Sequence, residues 1–521
     1  MNAGQSVGGT GGGAGEHDIV VVANRLPVDL VTSNDCSTEW KASPGGLVSA
    51  LSPILEARQG CWIGWPGVAD AAPEPFHNDA GALLYPVTLS EYDFTAFYEG
   101  FSNATLWPLY HDLIVPPTYH REWWTAYREV NTRFAEHAAA VAAPGATVWV
   151  QDYQLQLVPG ILRQLRPDVR IGFFAHIPFP HPEIFRQLPW RHEIIRGLLG
   201  ADVVGFQLTT DANHFLQLVA AGYGVSNHDA RDSLESAPQG QGFSALGTAS
   251  LREITARITT PDAREVGVAA FPISLDSAAQ LEFTDADAAE ITSLRAALGN
   301  PQMVFLGVDR LDYTKGIVER LQAFEELLEA GVLNPREVSF VQLATPSRER
   351  IEHYRKTRSV VEETVGRING RFSTFGHPVV HYQHTSVPKQ TLRRYYRLAD
   401  VMVVTPFKDG MNLVAKEYVA CHNDGTGALV LSEFAGAANE LPQAVLCNPF
   451  DMESIKAAMV TAVAGLREHP ERMQDRMQHM HAHVLEYDVA RWAQSFLSNL
   501  DRFGSEELNL SKFAAGSGER P

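Results

Sequence analysis

The chain has 521 residues, 45% of them apolar and 20% charged, enough for two or three domains with substantial cores. Its formal charge of −19 argues against nucleic acid or an anionic membrane as the main partner and makes the placement of each Arg and Lys informative. No apolar run reaches the roughly 18–20 residues of a membrane span, and the N-terminus lacks the basic segment and apolar core of a signal peptide.

Residues 1–16 hold the run Gly8-Gly9-Thr10-Gly11-Gly12-Gly13-Ala14-Gly15. It precedes the first strand instead of following it, so it fails the context of a dinucleotide loop and reads as a disordered tail. Apolar runs then recur at Ile19–Arg25, Thr147–Val150, Ile171–Ala175, Asp202–Phe206, Met303–Val308, Val338–Leu343, Ala399–Val404 and Ala428–Leu431. Runs without polar alternation suit parallel strands covered on both faces. Helical periodicity lies between them, as at 316–330, where Ile317, Leu321, Phe324 and Leu328 share one face. The alternation predicts an α/β chain with parallel sheets.

Two such blocks are expected, 17–272 and 273–484, with the boundary near Pro272-Ile273-Ser274. The stretch 225–265, rich in Ser, Gly, Gln and Ala, reads as a surface insertion. A helix at 485–503 carries the apolar stripe Trp492, Phe496 and Leu500, which should pack on a domain; 504–521 reads as a disordered tail. The cysteines Cys36, Cys61, Cys421 and Cys447 are scattered, with no CxxC pair, and read as free thiols in a reducing cytoplasm.

Polar residues sit where these strands end, the position at which open parallel sheets bind ligands. Arg25, Asp152, His176, Arg310, Arg348 and Asp409 all follow apolar strands, and Lys315 comes five residues after Arg310. Arg offers planar donors and Lys a point charge, both suited to phosphate; a surface salt bridge is the alternative for any one of them. In Thr405–Glu417, a turn at Asp409-Gly410 opens a helix carrying Glu417. Free N–H groups there suit a phosphate and the carboxylate suits a sugar hydroxyl pair, against the plain reading of an ordinary αβ loop. Gly45-Gly46 could let backbone approach a diphosphate or form a simple turn, and Tyr98 and Trp107 could face a sugar or fill a core.

His479, His481 and His483 look like a metal tract, but a two-residue step on a helix turns side chains about 200° apart, so no metal is expected there. No HExxH motif or Walker loop appears, which speaks against a metalloprotease or an NTPase.

Several motifs in order resemble one family. They are Ala23-Asn24-Arg25, Gly45-Gly46-Leu47, Trp62–Trp65, Phe101–Pro108, Gln151-Asp152-Tyr153, His176–Pro180, Arg310–Gly316, Asp409–Glu417 and Phe434–Glu440. From about Ile19 to Phe503 the chain resembles the α,α-trehalose-6-phosphate synthases, retaining glycosyltransferases of family 20. The resemblance implies a GT-B fold, two Rossmann-like domains facing a cleft, with the C-terminal helix crossing back to the first.

It further implies that Arg25, Tyr98, Asp152 and Arg348 contact glucose 6-phosphate and that Trp107 shapes the acceptor pocket. Arg310 and Lys315 would bind the donor diphosphate, with backbone at Gly45, Gly46 and Leu413-Val414-Ala415-Lys416. Asp409 and His176 would meet the transferred glucose, Glu417 the ribose, and Val387 the base. Neither a cofactor nor a metal is implied; a cytoplasmic homo-oligomer is. Departures are Ala23 for an expected Ser, Gln151 for an expected His, and a poorly matched segment at Ser386-Val387, which leaves UDP, ADP and GDP open as donor bases. A non-catalytic sugar-phosphate-binding subunit and a transferase with another acceptor stand as alternatives.

Overall fold

A computed structural model describes residues 17–32, 38–42, 60–71, 73–78, 81–222, 254–277 and 283–516, with single positions 15, 51, 55 and 280. The apolar runs become strands. In chain order they are β1 (His17–Arg25), β2 (Val28–Thr32), β3 (Thr38–Ala42), β4 (Cys61–Trp65), β5 (Phe76–His77), β6 (Leu83–Pro86), β7 (Ala142–Gln151), β8 (Arg170–Phe174), β9 (Val203–Phe206), β10 (Ala256–Thr259) and β11 (Glu265–Ala270). The second half contributes β12 (Met303–Arg310), β13 (Val338–Thr345), β14 (Val380–Gln383), β15 (Val401–Val404), β16 (Ala428–Ser432) and β17 (Val445–Cys447).

The first sheet has the order β10-β11-β9-β8-β7-β1-β4-β6-β5 and the second β14-β13-β12-β15-β16-β17. Every pairing in the second sheet is parallel. The first is parallel except for its two outermost strands, β10 and β5, which run antiparallel. β1 lies between β7 and β4, and β12 between β13 and β15, so chain order reverses at both. Ligands of doubly wound sheets collect at such switch points.

Buried apolar side chains form three layers. One covers the outer face of the first sheet, built around Phe97, Phe101, Tyr127 and Val148. Another covers the outer face of the second sheet, around Phe305, Phe324 and Phe340. The middle cluster is continuous across both halves, running from Val21 and Trp149 through Ile273 to Leu306 and Met402.

The C-terminal helix Val489–Gly516 belongs to that middle layer. The Phe496 ring stacks on Trp149 at 4.6 Å, and Trp492 Nε1 donates to the Phe271 carbonyl at 3.1 Å. Gly172 and Gly205 permit the approach, because a Cβ on either would lie within 2.7 Å of Phe496. The expected stripe of Trp492, Phe496 and Leu500 is therefore packed against the first domain.

Two expectations need correction. The helix does not stop at 503 but runs to Gly516; the segment Ser505–Ala515 has no proline and is rich in helix-permitting residues. The stretch read as an insertion contributes to the sheet at its end, where β10 pairs with β11. Ala256-Arg257-Ile258-Thr259 alternates apolar and polar residues, with Arg257 exposed and Ile258 buried, as suits an edge strand. Residues 223–253, 1–14 and 517–521 lie outside the described residues. Among the described residues, no helix is long and apolar enough to cross a membrane.

Candidate active site

The carboxyl ends of β1, β7 and β8 face those of β12, β13 and β15 across a cavity of about 590 Å³. Arg25, Tyr98, Trp107, Asp152 and His176 line it from the first half; Arg310, Lys315, Arg348, Asp409, Leu413 and Val414 line it from the second. Eleven residues singled out from strand ends and motifs thus meet in one place. Two of these eleven, Asp152 (φ 72) and Arg348 (φ 48), and one further lining residue, Asn412 (φ 84), share a left-handed backbone that non-glycine residues rarely adopt. Such strain persists where surrounding structure enforces it, and it concentrates at functional sites.

The turn after β15 is fixed at several points. Lys315 Nζ lies 2.6 Å from Asp409 Oδ2, which also accepts from Asn412 Nδ2 at 3.0 Å. Burial raises the Asp409 carboxyl, but the Lys315 charge and these hydrogen bonds outweigh it and hold the group below its ordinary range. Asn412 caps the helix Leu413–Cys421 through Oδ1, which accepts from the Ala415 N–H at 3.1 Å. The next residues, Leu413 and Val414, present the start of that helix to the cavity. Gly410 admits no side chain, since a Cβ would lie 2.4 Å from the His176 carbonyl oxygen.

Trp107 is a shared platform. The Arg348 guanidinium sits 4.0 Å from its ring centroid and that of Arg310 5.1 Å away. Arg348 also donates to the hydroxyls of Tyr354 and Tyr153 and lies 3.6 Å from Asp312. Asp312, 3.8 Å from Arg310 as well, is fully buried. Burial raises its carboxyl, yet the charges of Arg348, Arg310 and Lys315 prevail and lower it. On the opposite wall, the Arg25 guanidinium lies 5.2 Å from the Trp65 ring centroid.

Asp152 follows β7 and its Oδ1 accepts from the His176 N–H at 3.0 Å. Burial pushes its carboxyl up to about 6 against the hydrogen bonds of neighbouring backbone N–H groups. His176 Nε2 lies 2.9 Å from Gln151 Oε1, and burial takes the imidazole down to about 3, so it is neutral near pH 7. The Gln151 found where His was expected is thus the partner of His176.

Four expected donor residues do not line the cavity. Lys416 turns inward, its Nζ 2.5 Å from Glu440 Oε2 and 2.8 Å from the Ile273 carbonyl. The Ala415 N–H is taken by the Asn412 cap. Glu417 Oε2 accepts from the Tyr396 hydroxyl at 2.6 Å, and Val387 packs partly buried against the middle layer. Gly45 and Gly46 lie outside the described residues. His483 lies 3.6 Å from Glu440 while His479 is exposed and faces Asp475, so the histidine tract does not converge.

Sequence reasoning missed His111, Tyr153 and Asn412 as lining residues and Asp312 as the carboxylate beside Arg310 and Arg348; all but His111, three residues past Pro108, lie within the motifs quoted. Motif membership was the available signal; which members face the cavity depends on tertiary packing.

The model of glycosyltransferase family 20 matches residues 17–502. The trehalose-6-phosphate synthase of Mycolicibacterium gilvum (strain PYR-GCK) is 55% identical over 491 residues, 93% of each chain. The crystal structure of a UDP-forming α,α-trehalose-phosphate synthase from Burkholderia vietnamiensis superposes with a TM-score of 0.80 at 33% identity, covering 94% of this chain and 98% of that one. A UDP-forming synthase from Burkholderia xenovorans in complex with glucose-6-phosphate gives 0.77 at 31% identity, covering 93% and 99%. The match spans both sheets and the cavity between them, with the GT-B arrangement that the facing strand ends describe, and the chain belongs to glycosyltransferase family 20.

Proposed function

We propose that the chain transfers glucose from a nucleoside diphosphate glucose to glucose 6-phosphate with retention, giving α,α-trehalose 6-phosphate and the nucleoside diphosphate in trehalose biosynthesis. The observation that carries this reading is the single cavity holding two chemically distinct clusters. Arg25, Asp152 and Arg348 suit a phosphorylated sugar acceptor; Arg310, Lys315 and Asp409 suit a glucosyl diphosphate. The 55% identity to a trehalose-6-phosphate synthase supports the activity, and the glucose-6-phosphate in the Burkholderia xenovorans complex supports the acceptor.

On this reading the donor C1–O bond breaks while the acceptor C1 hydroxyl attacks from the same face. A diphosphate oxygen takes the hydroxyl proton as it leaves, which preserves configuration without a covalent enzyme intermediate. Arg310, Lys315 and the first N–H groups of the helix Leu413–Cys421 stabilise the charge gathering on the diphosphate. Asp409, pinned by Lys315 and Asn412, accepts from a glucose hydroxyl. The neutral His176 hydrogen-bonds the same sugar, and Tyr98 and Trp107 wall the acceptor side. Close contact of the two halves at Gly410 and His176 keeps water from consuming the donor.

Nucleoside diphosphate release, followed by a coupled assay with UDP-, ADP- and GDP-glucose, tests this reading. Release should require glucose 6-phosphate, and the UDP-forming relatives favour UDP-glucose. Equal rates with free glucose would point to another acceptor, and silence with every donor to a sugar-phosphate-binding regulatory subunit. The scheme gives the cationic role to side chains, so activity lost in EDTA and restored by a divalent metal would overturn it. The reading extends to a homo-oligomer, which light scattering on the purified chain checks, and to a cytoplasmic location, which cell fractionation checks.

A further inference from the structure

The helix Trp107–Tyr110 places His111 four residues beyond Trp107, and the imidazole stacks on the indole at 4.1 Å with 28° between the planes. The same indole carries Arg348 and Arg310. His111 is 1% exposed, yet it lines the cavity. Its Nδ1 lies 2.8 Å from the Trp107 carbonyl, which can only accept, so Nδ1 carries the hydrogen. That tautomer leaves Nε2 with a lone pair and no hydrogen. Among the described residues no hydrogen bond to Nε2 is found, and Nε2 is not among the sealed, unpartnered polar atoms. The atom is available to the cavity.

Burial lowers the imidazole to about 4, against the raising influence of Asp312 and Asp409 and with that of Lys315, so the ring is neutral near pH 7. The corner is also held from outside. Asp112 (φ 54) and Leu113 (φ 60) follow in left-handed conformation, and Asp112 pairs across the cleft with Lys408 at 3.1 Å, next to Asp409. A neutral acceptor is thus fixed beside the Lys315–Asp409 pair, in a place where a charged or rotating side chain would not give a directed bond.

We propose that His111 is a substrate-contacting residue whose Nε2 accepts a hydrogen bond from a hydroxyl of the hexose being transferred beside Lys315 and Asp409. The proposal rests on the glucosyl-transfer reading of the cavity. It adds to that reading an uncharged acceptor opposite the charged pair, so that the sugar is gripped from both halves of the molecule.

Three substitutions separate contact from mere support of Trp107. His111→Phe keeps a ring against the indole and deletes Nε2. His111→Gln can bring an amide oxygen near the Nε2 position. His111→Asn can bond the Trp107 carbonyl but reaches no further. Steady-state kinetics with the parent donor and a set of singly deoxygenated glucosyl donors, nucleoside diphosphate calorimetry and melting curves are measured on each. His111→Phe should lose about tenfold in kcat, the scale of one hydrogen bond, with nucleoside diphosphate affinity unchanged. One deoxygenated donor that slows the wild type should carry no extra penalty in His111→Phe, and Gln should retain more activity than Asn. Wild-type kcat in His111→Phe, or an undiminished penalty on every deoxygenated donor, overturns the proposal. If His111→Phe does not fold, activity of Asn equal to or above Gln overturns it and Gln above Asn supports it. A wild type that turns over no donor fails the transfer reading and takes this proposal with it; turnover insensitive to His111→Phe fails this proposal alone.

Discussion

Gly410 and His176 meet across the boundary between the two halves with no space between them: a Cβ on Gly410 would stand 2.4 Å from the His176 carbonyl oxygen. Both belong to loops at strand ends, one after β15 and one after β8. Gly410→Ala should force these loops apart. The expected destabilisation is about 1–3 kcal/mol, typical of overpacking, with a larger proportional loss in turnover because Asp409 moves with the loop. Melting curves and transfer rates on the same preparation check this; unchanged kcat would refute it.

Lys315 and Asp409 hold each other at 2.6 Å with little exposure. Lys315→Met leaves a buried carboxylate without its cation, at a stability cost of about 3 kcal/mol. Turnover should fall by about 2–4 kcal/mol of transition-state stabilisation, the scale of a lost oxyanion donor. Urea unfolding and single-turnover rates measure the two effects separately. Near-normal turnover would remove Lys315 from the mechanism.

Arg348 lies flat against Trp107 and donates to two tyrosine hydroxyls. A lysine keeps the charge but cannot reproduce the plane or the several donors. Arg348→Lys should raise KM for glucose 6-phosphate about tenfold, with a smaller change in the apparent donor KM. Equal effects on both substrates would contradict the assignment of Arg348 to the acceptor.

Asp152 gives a pH signature. Its carboxyl stands at about 6 in the folded chain, so between about pH 4 and 6 the folded state keeps a proton that the unfolded state has released. Stability from this group therefore falls as pH rises through that window. Asp152→Asn has no such titration, so its unfolding free energy relative to wild type should climb by up to about 3 kcal/mol over the same interval and then level off. Lowered imidazoles such as those of His111 and His176 act in the opposite sense below their ordinary range, but both chains share them. Parallel stability curves from pH 4 to pH 7 would exclude the raised carboxyl.

The parallel strands were legible because burial on both faces writes continuous apolar runs, as in Val20-Val21-Val22 and Val401-Met402-Val403-Val404. Cavity residues at strand ends were legible for the same reason: Arg25, Asp152, Arg310 and Asp409 mark where the runs stop. Lys416 was misplaced because a motif gives order along a helix, while its face is set by the buried carboxylate of Glu440, which is 24 positions away. His111 escaped notice because its partner, Trp107, is one helical turn back, and nothing in residue type distinguishes that stack from ordinary core. The helix beyond 503 was missed because polar composition alone does not separate a solvated helix from a loose tail.

The packing of Phe496 and Trp492 onto Trp149, Phe174 and Phe271 sets an order of events during synthesis. When the ribosome has finished the first sheet, one of its faces still lacks the side chains that cover it, and these emerge only after the whole second domain. The first domain waits, with Trp149 and Phe174 uncovered, until Trp492 and Phe496 have been made. The outer face of the second sheet is covered sooner, by Ile455, Met459 and Met473 shortly after its last strand. A chain ended by premature termination before Val489 would thus leave the inner face of the first sheet uncovered and adhesive.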